Sequence, residues 1–73
     1  MANIQRVIAQ FKNRIAEHIG EAGQMDLGEG RTVTWGWTSN PKYPSPAHKF
    51  VIITGPDIHR TGIFNTQTGK FVD

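Results

Sequence analysis

The sequence predicts an α+β domain in which an N-terminal amphipathic helix packs on an antiparallel meander of three or four strands. Three observations support this fold class. Apolar residues recur at helical spacing over residues 4–19, shorter apolar segments follow from residue 31 onward, and Gly- and Pro-containing turns separate those segments. With 73 residues, the chain is expected to form a single domain, residues 1–73, with a thin core.

The helix is predicted for residues 4–19. Its apolar residues have the spacing of one helical face: Ile4, Val7, Ile8, Phe11, Ile15 and Ile19. Asn3 is a suitable N-cap, because its side-chain oxygen can accept hydrogen bonds from amides of the first turn. Gly20 suits the position that follows a helix, where a left-handed conformation is common.

Residues 20–30 are predicted to form a flexible acidic linker between the helix and the meander. Four glycines and three acidic residues interrupt the apolar pattern there. Met25 and Leu27 are the residues of this segment that we expect to contact the core.

The meander is predicted for residues 31–73. Alternating apolar residues favour a first strand over residues 31–38. The continuous apolar segment at 50–53 is typical of a middle strand, predicted for 49–54, with both of its faces at least partly covered. A third strand is expected at 62–66, and Gly69 suits the turn that leads to a short last strand around Phe71.

Trp35 and Trp37 stand two residues apart on the first predicted strand, and therefore on the same face. A small domain needs bulky core residues, so we expect both tryptophans beneath the helix. The alternative is that they stack on the bases of a nucleic acid.

No catalytic site, metal site or cofactor is expected. The chain has no cysteine, and His18, His48 and His59 do not have the spacing of a zinc-binding pair on a helix. Ser39 and Ser45 both fall in a proline-containing loop, not in a nucleophile elbow. These features favour a protein that is not an enzyme.

The composition also suggests a compartment and a charge preference. The absence of cysteine favours a reducing compartment, and no segment has the apolar length of a membrane span or the pattern of a signal peptide, so we expect a cytoplasmic protein without a membrane partner.

Residues 31–73 carry an excess of basic over acidic residues: Arg31, Lys42, Lys49, Arg60 and Lys70 against Asp57 and Asp73. This charge permits an acidic partner or weak, non-specific binding to nucleic acid.

The most plausible contact surface is the proline-rich loop at residues 41–49. Prolines stiffen it, which lowers the entropy lost on binding. Lys42, Tyr43 and Lys49 are predicted to be anchors for a partner, with Arg60 as a neighbour. A plain connecting loop is an equally good interpretation, and the outer face of the helix is the alternative surface, with Arg6, Gln10 and Arg14.

Taken together, the helix at residues 3–19, the Gly-rich acidic break and the Trp-rich meander resemble small phage-encoded regulators that bind host bacterial RNA polymerase. The resemblance covers the length and character of the chain and includes no aligned motif, so no binding residue is transferred. It implies a protein without enzymatic activity that inhibits or reprograms transcription, including its termination, through protein–protein contact. We expect the chain to be a monomer. The alternatives are a small nucleic-acid-binding module that uses the basic second half, and a virion structural protein.

Overall fold

The computed structural model describes residues 3–18, 21–44 and 47–73. It contains one helix and five strands: α1 (Ile4–Glu17), β1 (Gly23–Gly28), β2 (Arg31–Gly36), β3 (His48–Thr54), β4 (His59–Asn65) and β5 (Lys70–Phe71). The strands form one sheet in the order β1-β2-β3-β4-β5, and every neighbouring pair is antiparallel. The predicted fold class is therefore confirmed, with five strands in place of three or four.

Helix α1 begins where the sequence predicts. The Asn3 side-chain oxygen accepts hydrogen bonds from the backbone amides of Gln5 at 3.0 Å and Arg6 at 3.3 Å, which confirms the predicted N-cap. The helix ends at Glu17. Ile19 and Gly20, the predicted last helical residue and the glycine after it, lie outside the described residues.

The core lies between α1 and one face of the sheet. The helix contributes four buried residues, and strands β2, β3 and β4 contribute the other five: Val7, Ile8, Phe11 and Ile15, then Val33, Trp35, Val51, Ile53 and Phe64. The rings of Phe11 and Phe64 are 5.6 Å apart, so they connect the two layers directly. Each fully buried side chain of this size stabilises the fold by roughly 1.5–3 kcal/mol.

The predicted linker needs a correction, because residues 23–28 form the edge strand β1. Met25 and Leu27 pack against the core as expected, while Gln24, Asp26 and Gly28, which alternate with them, are exposed. This alternation is that of a strand with one covered face. The glycines and acidic residues obscured the pattern in the sequence.

The turn between β1 and β2 explains how the two strands form a hairpin. Glu29 and Gly30 have φ values of +54° and +77°, the signs required at both central positions of a type I′ turn. Asn or Gly is the usual residue at the first of these positions. Glu is unusual there, which is why the sequence did not signal a hairpin.

The strands also differ from prediction at their ends. Strand β2 stops at Gly36, which pairs with Phe50, and β4 begins three residues earlier than predicted, at His59. Trp35 is buried, as predicted, with 4% of its surface exposed, but Trp37 is 60% exposed. The prediction for Trp37 was wrong, because this residue lies beyond the last paired residue of β2.

Candidate functional site

The face of the sheet opposite α1, called here the open face, carries large apolar side chains. Along β3, Phe50 and Ile52 alternate with the buried residues of the core face. Phe50 pairs across the sheet with Ile63, so the two side chains lie side by side. Trp37 and Phe50, the latter 40% exposed, are the large hydrophobic residues that remain exposed in the part of the chain that the structure describes.

Trp37, Phe50 and Ile63, called here the open-face patch, line a common cavity of about 340 Å³. Its remaining lining residues are polar: Thr38, Ser39, Asn40 and Asp73. The cavity thus combines apolar walls with hydroxyl, amide and carboxylate groups. Its volume is near the lower end of the range for pockets that hold small ligands, about 300–1,000 Å³.

The loop after β2 folds back onto the polar side of this cavity. The Thr38 hydroxyl donates a hydrogen bond to the Tyr43 carbonyl at 2.5 Å. The Tyr43 amide donates to the Asn40 carbonyl at 3.0 Å, and the Lys42 amide donates to the Asn40 side chain at 2.9 Å. These bonds fix residues 38–43 as a compact unit next to Trp37.

Two of the predicted anchors, Lys42 and Tyr43, lie in this unit. The Tyr43 ring packs on the His48 ring at 5.2 Å, and the Lys42 ammonium lies 5.6 Å from the centre of the Tyr43 ring. His48 is two residues before Phe50 on β3, and therefore points to the same face. The structure thus places the predicted loop anchors beside the open-face patch. Ser45 and Pro46 lie outside the described residues.

Lys49, the third predicted anchor, is fully buried. Its ammonium donates a hydrogen bond to the Glu21 carbonyl at 3.1 Å and lies 5.7 Å from the centre of the Trp37 ring. Burial lowers the pKa of Lys49 from its ordinary value, and the nearby Glu21 carboxylate opposes that change. Because the side chain points into the domain, we leave Lys49 out of the contact surface.

Arg60, the predicted neighbour, is used within the fold. Its guanidinium donates hydrogen bonds to the carbonyls of Thr61 at 2.6 Å and Asp73 at 2.9 Å. The same group lies 4.0 Å from the centre of the Phe71 ring. Arg60 therefore holds residues 71–73 against β4, and we leave it out of the contact surface as well.

The alternative surface on the helix is divided between two cavities. Arg6 and Gln10 line a polar cavity of about 380 Å³ near the start of α1, whereas Arg14 lines one of about 180 Å³ near its end. The first cavity also contains Arg31, whose guanidinium contacts Asp57 at 2.6 Å. Neither cavity contains exposed aromatic side chains comparable to Trp37 and Phe50.

Within residues 3–18, 21–44 and 47–73, no three His, Asp or Glu side chains lie close enough together to bind a metal ion. Within the same residues, no helix is long and apolar enough to cross a membrane.

Phe50, Ile63 and the exposed position of Trp37 were not predicted from the sequence. One signal for them was available. Residues 50–53 place apolar groups on both faces of β3, and a single helix can cover only one face of a sheet.

No family model matches the sequence, and no curated protein or solved structure is significantly similar to it. A functional assignment therefore depends on the surface chemistry of the chain itself.

Proposed function

We propose that this chain is a protein-binding module without enzymatic activity, and that it docks a partner protein through the open-face patch and the adjoining residues 38–43. The observation that carries the proposal is the exposure of Trp37 and Phe50, two large apolar side chains that line the same cavity. Contiguous exposed apolar side chains with a polar rim are typical of protein interaction sites.

The residue types on this surface are those that dominate protein interfaces. Trp and Tyr are enriched among hot spots, because their rings bury a large area with few rotatable bonds. Trp37 and Tyr43 are attached to a backbone that the hydrogen bonds of Thr38 and Asn40 already order. Such preorganisation reduces the entropy lost on binding.

The chemistry of the surface also defines the partner. An apolar side chain of the partner would enter the cavity between Trp37 and Phe50, and hydrogen-bonding groups around it would meet Ser39 and Asn40. An acidic group placed near Lys42 would complete the contact, since Lys42 is the exposed cation beside Tyr43. Charges at the rim of an interface mainly raise the association rate.

Bacterial RNA polymerase is the first partner to test, because the sequence resembles phage regulators that bind it. In that role the chain would inhibit or reprogram bacterial transcription by occupying a surface of the enzyme. The resemblance alone supports this choice of partner, whereas the docking surface is argued from the structure.

The experiment compares the wild-type chain with Trp37→Ser in binding to purified bacterial RNA polymerase by surface plasmon resonance. We expect loss of a hot-spot tryptophan to weaken binding by about 2 kcal/mol or more, or roughly 30-fold. Gln10→Ser on the outer face of α1 is the control and should bind like the wild type. Equal affinity for wild type and Trp37→Ser, or a loss confined to Gln10→Ser, would show that the docking surface is wrong.

Binding to single-stranded nucleic acid is the second candidate, since exposed aromatic side chains on a sheet can stack on bases. The charges argue against it. Asp73 lines the cavity, where it would repel phosphate groups, and Arg60 is already engaged with the Asp73 and Thr61 carbonyls. A titration with a labelled oligothymidine at two salt concentrations distinguishes the candidates, because phosphate contacts weaken steeply with salt.

A further inference from the structure

The open face extends well beyond the open-face patch. Cross-strand pairing aligns Thr34 with Ile52 and Ile52 with Thr61, next to the row formed by Gly36, Phe50 and Ile63. The four longer strands, β1 to β4, are spaced by about 4.8 Å and rise about 3.4 Å per residue, so they give a face of roughly 19 Å by 20 Å, or roughly 400 Å² in projection. Helix α1 covers the opposite face, so this area is available to a second molecule.

The side chains on this face differ in size from one strand to the next. Strand β2 contributes only small side chains to it, namely Thr32, Thr34 and Gly36. Apart from its chain neighbours Trp35 and Trp37, a Cβ atom added at Gly36 would meet nothing within 4 Å, so no other strand or loop fills the space above this residue. The larger side chains of Phe50 and Ile52 lie beside it on β3, and Trp37 follows the last residue of β2. A trough over β2 therefore runs next to an apolar ridge over β3.

The centre of the face also lacks charge. The open-face residues of β2 and β3 there form three cross-strand pairs, and all six are uncharged: Thr32 with Thr54, Thr34 with Ile52, and Gly36 with Phe50. The charged residues lie at the margins, with Asp26 on the edge strand β1 and Asp73 beside β4. Two copies facing each other would therefore meet no like-charge repulsion at the centre, where such repulsion costs most.

We infer that a second copy of this chain packs its open face against the first, with the ridge over β3 of each molecule in the trough over β2 of the other. This arrangement is a two-fold, self-complementary interface. Two faces of this size bury roughly 800 Å², which is less than the roughly 1,200–2,000 Å² of stable specific interfaces and indicates a weak, reversible dimer. This differs from the monomer that we expected from the sequence.

The dimer also regulates the proposed docking site, and in this respect the inference rests on the proposed function. Because Trp37 lies in both contacts, a partner protein and a second copy compete for the same patch. Weak self-association hides the apolar surface when the partner is absent and releases it on dilution or binding.

Sedimentation velocity over a concentration series from about 10 μM to about 1 mM tests the inference, since weak dimers dissociate in this range. We expect the average mass to rise from the monomer value of 8.2 kDa toward twice that value. Trp37→Ser should stay monomeric at the highest concentration. Gly36→Val should do so as well, because its side chain fills the trough without a clash at Cβ. Asn13→Ser, on the exposed side of α1, should dimerise like the wild type.

A wild-type chain that remains monomeric at about 1 mM would overturn the inference. Dimerisation of both Trp37→Ser and Gly36→Val with wild-type affinity would also overturn it, since the contact would then use another surface. Partner binding is measured separately under dilute conditions. If the wild-type chain is monomeric but Trp37→Ser weakens partner binding, only the dimer is contradicted. If the wild-type chain forms a dimer that depends on Trp37 but Trp37→Ser leaves the affinity for the partner unchanged, only the docking proposal is contradicted.

Discussion

A single added methyl group at Gly23 should destabilise the protein strongly. A Cβ atom at this position would lie 2.4 Å from Cζ2 and 2.7 Å from Cε2 of Trp35, far inside the normal contact distance of about 3.5–4.0 Å between carbon atoms. Trp35 is 4% exposed and belongs to the central core cluster, so its ring has little room to move. We therefore expect Gly23→Ala to force a shift of the strand β1 backbone or of the Trp35 ring.

The size of the effect follows from the cost of overpacking a core, about 1–3 kcal/mol. In a domain of 60–100 residues, each kcal/mol lowers the melting temperature by about 4–8 °C, so we expect a decrease of roughly 4–24 °C. A loss of this size is a substantial fraction of the stability of a small domain, about 5–15 kcal/mol.

Gly36→Ala is the matched control, because it makes the same chemical change in the neighbouring strand β2. Apart from its chain neighbours, its added Cβ would meet nothing within 4 Å, and we expect its melting temperature to stay within a few degrees of the wild type. Thermal unfolding of the three proteins is followed by far-ultraviolet circular dichroism. Equal melting temperatures for Gly23→Ala and Gly36→Ala would refute the close packing of Trp35 beneath β1.

Three further predictions concern the turn, the two tryptophans and one ion pair. Glu29→Asn should stabilise the protein by about 1 kcal/mol in urea denaturation, because Asn tolerates the positive φ of this position better than Glu does; an unchanged or lower midpoint would contradict the turn assignment. Trp35→Ala should cost about 3–5 kcal/mol, whereas Trp37→Ala should change the unfolding free energy by about 0.5 kcal/mol or less, and comparable losses would mean that Trp37 is also a core residue. The Arg31 guanidinium holds the pKa of the Asp57 carboxyl below its usual range, so Asp57 contributes stability that is present above the ordinary pKa of 3.8 and is lost as the pH falls through the lower folded-state value. The decrease in melting temperature that protonation of Asp57 causes at acidic pH should therefore be absent in Asp57→Asn.

The elements that the sequence predicted well are those whose signal is local. The 3.6-residue spacing of the α1 stripe and the capping side chain of Asn3 both depend on residues within a few positions of one another. The apolar residues of β3 identified the middle strand for the same reason. Local patterns of this kind do not require knowledge of the partner strand.

The elements that were missed depend on neighbours that are distant in the sequence. Strand β1 exists because its backbone pairs with β2, and Met25 and Leu27 gain burial only through that pairing. Lys49 is buried because its ammonium reaches the Glu21 carbonyl, 28 residues earlier in the chain. Arg60 likewise bonds to the Asp73 carbonyl, 13 residues later. Local sequence propensities carry no information about these contacts, because the residues involved are distant in the chain.

The candidate site was predicted in part for the same reasons. Lys42 and Tyr43 were recognised from the proline-rich composition of their loop, and the structure places them beside the open-face patch. Trp37 was assigned to the core because strand alternation extends naturally from Trp35. The alternation fails because the β2 ladder ends with the pair Gly36–Phe50, and the end of a ladder is set by its partner strand.

The position of Trp37 and Phe50 has a consequence for stability and function together. A domain of this size has few apolar residues to bury, yet two of its largest ones contribute little to the intramolecular core. Helix α1 already occupies the other face of the sheet, so no second layer covers them within residues 3–18, 21–44 and 47–73. The apolar area of these side chains therefore remains exposed to water in the domain, and the free energy of burying it is available for association instead of folding.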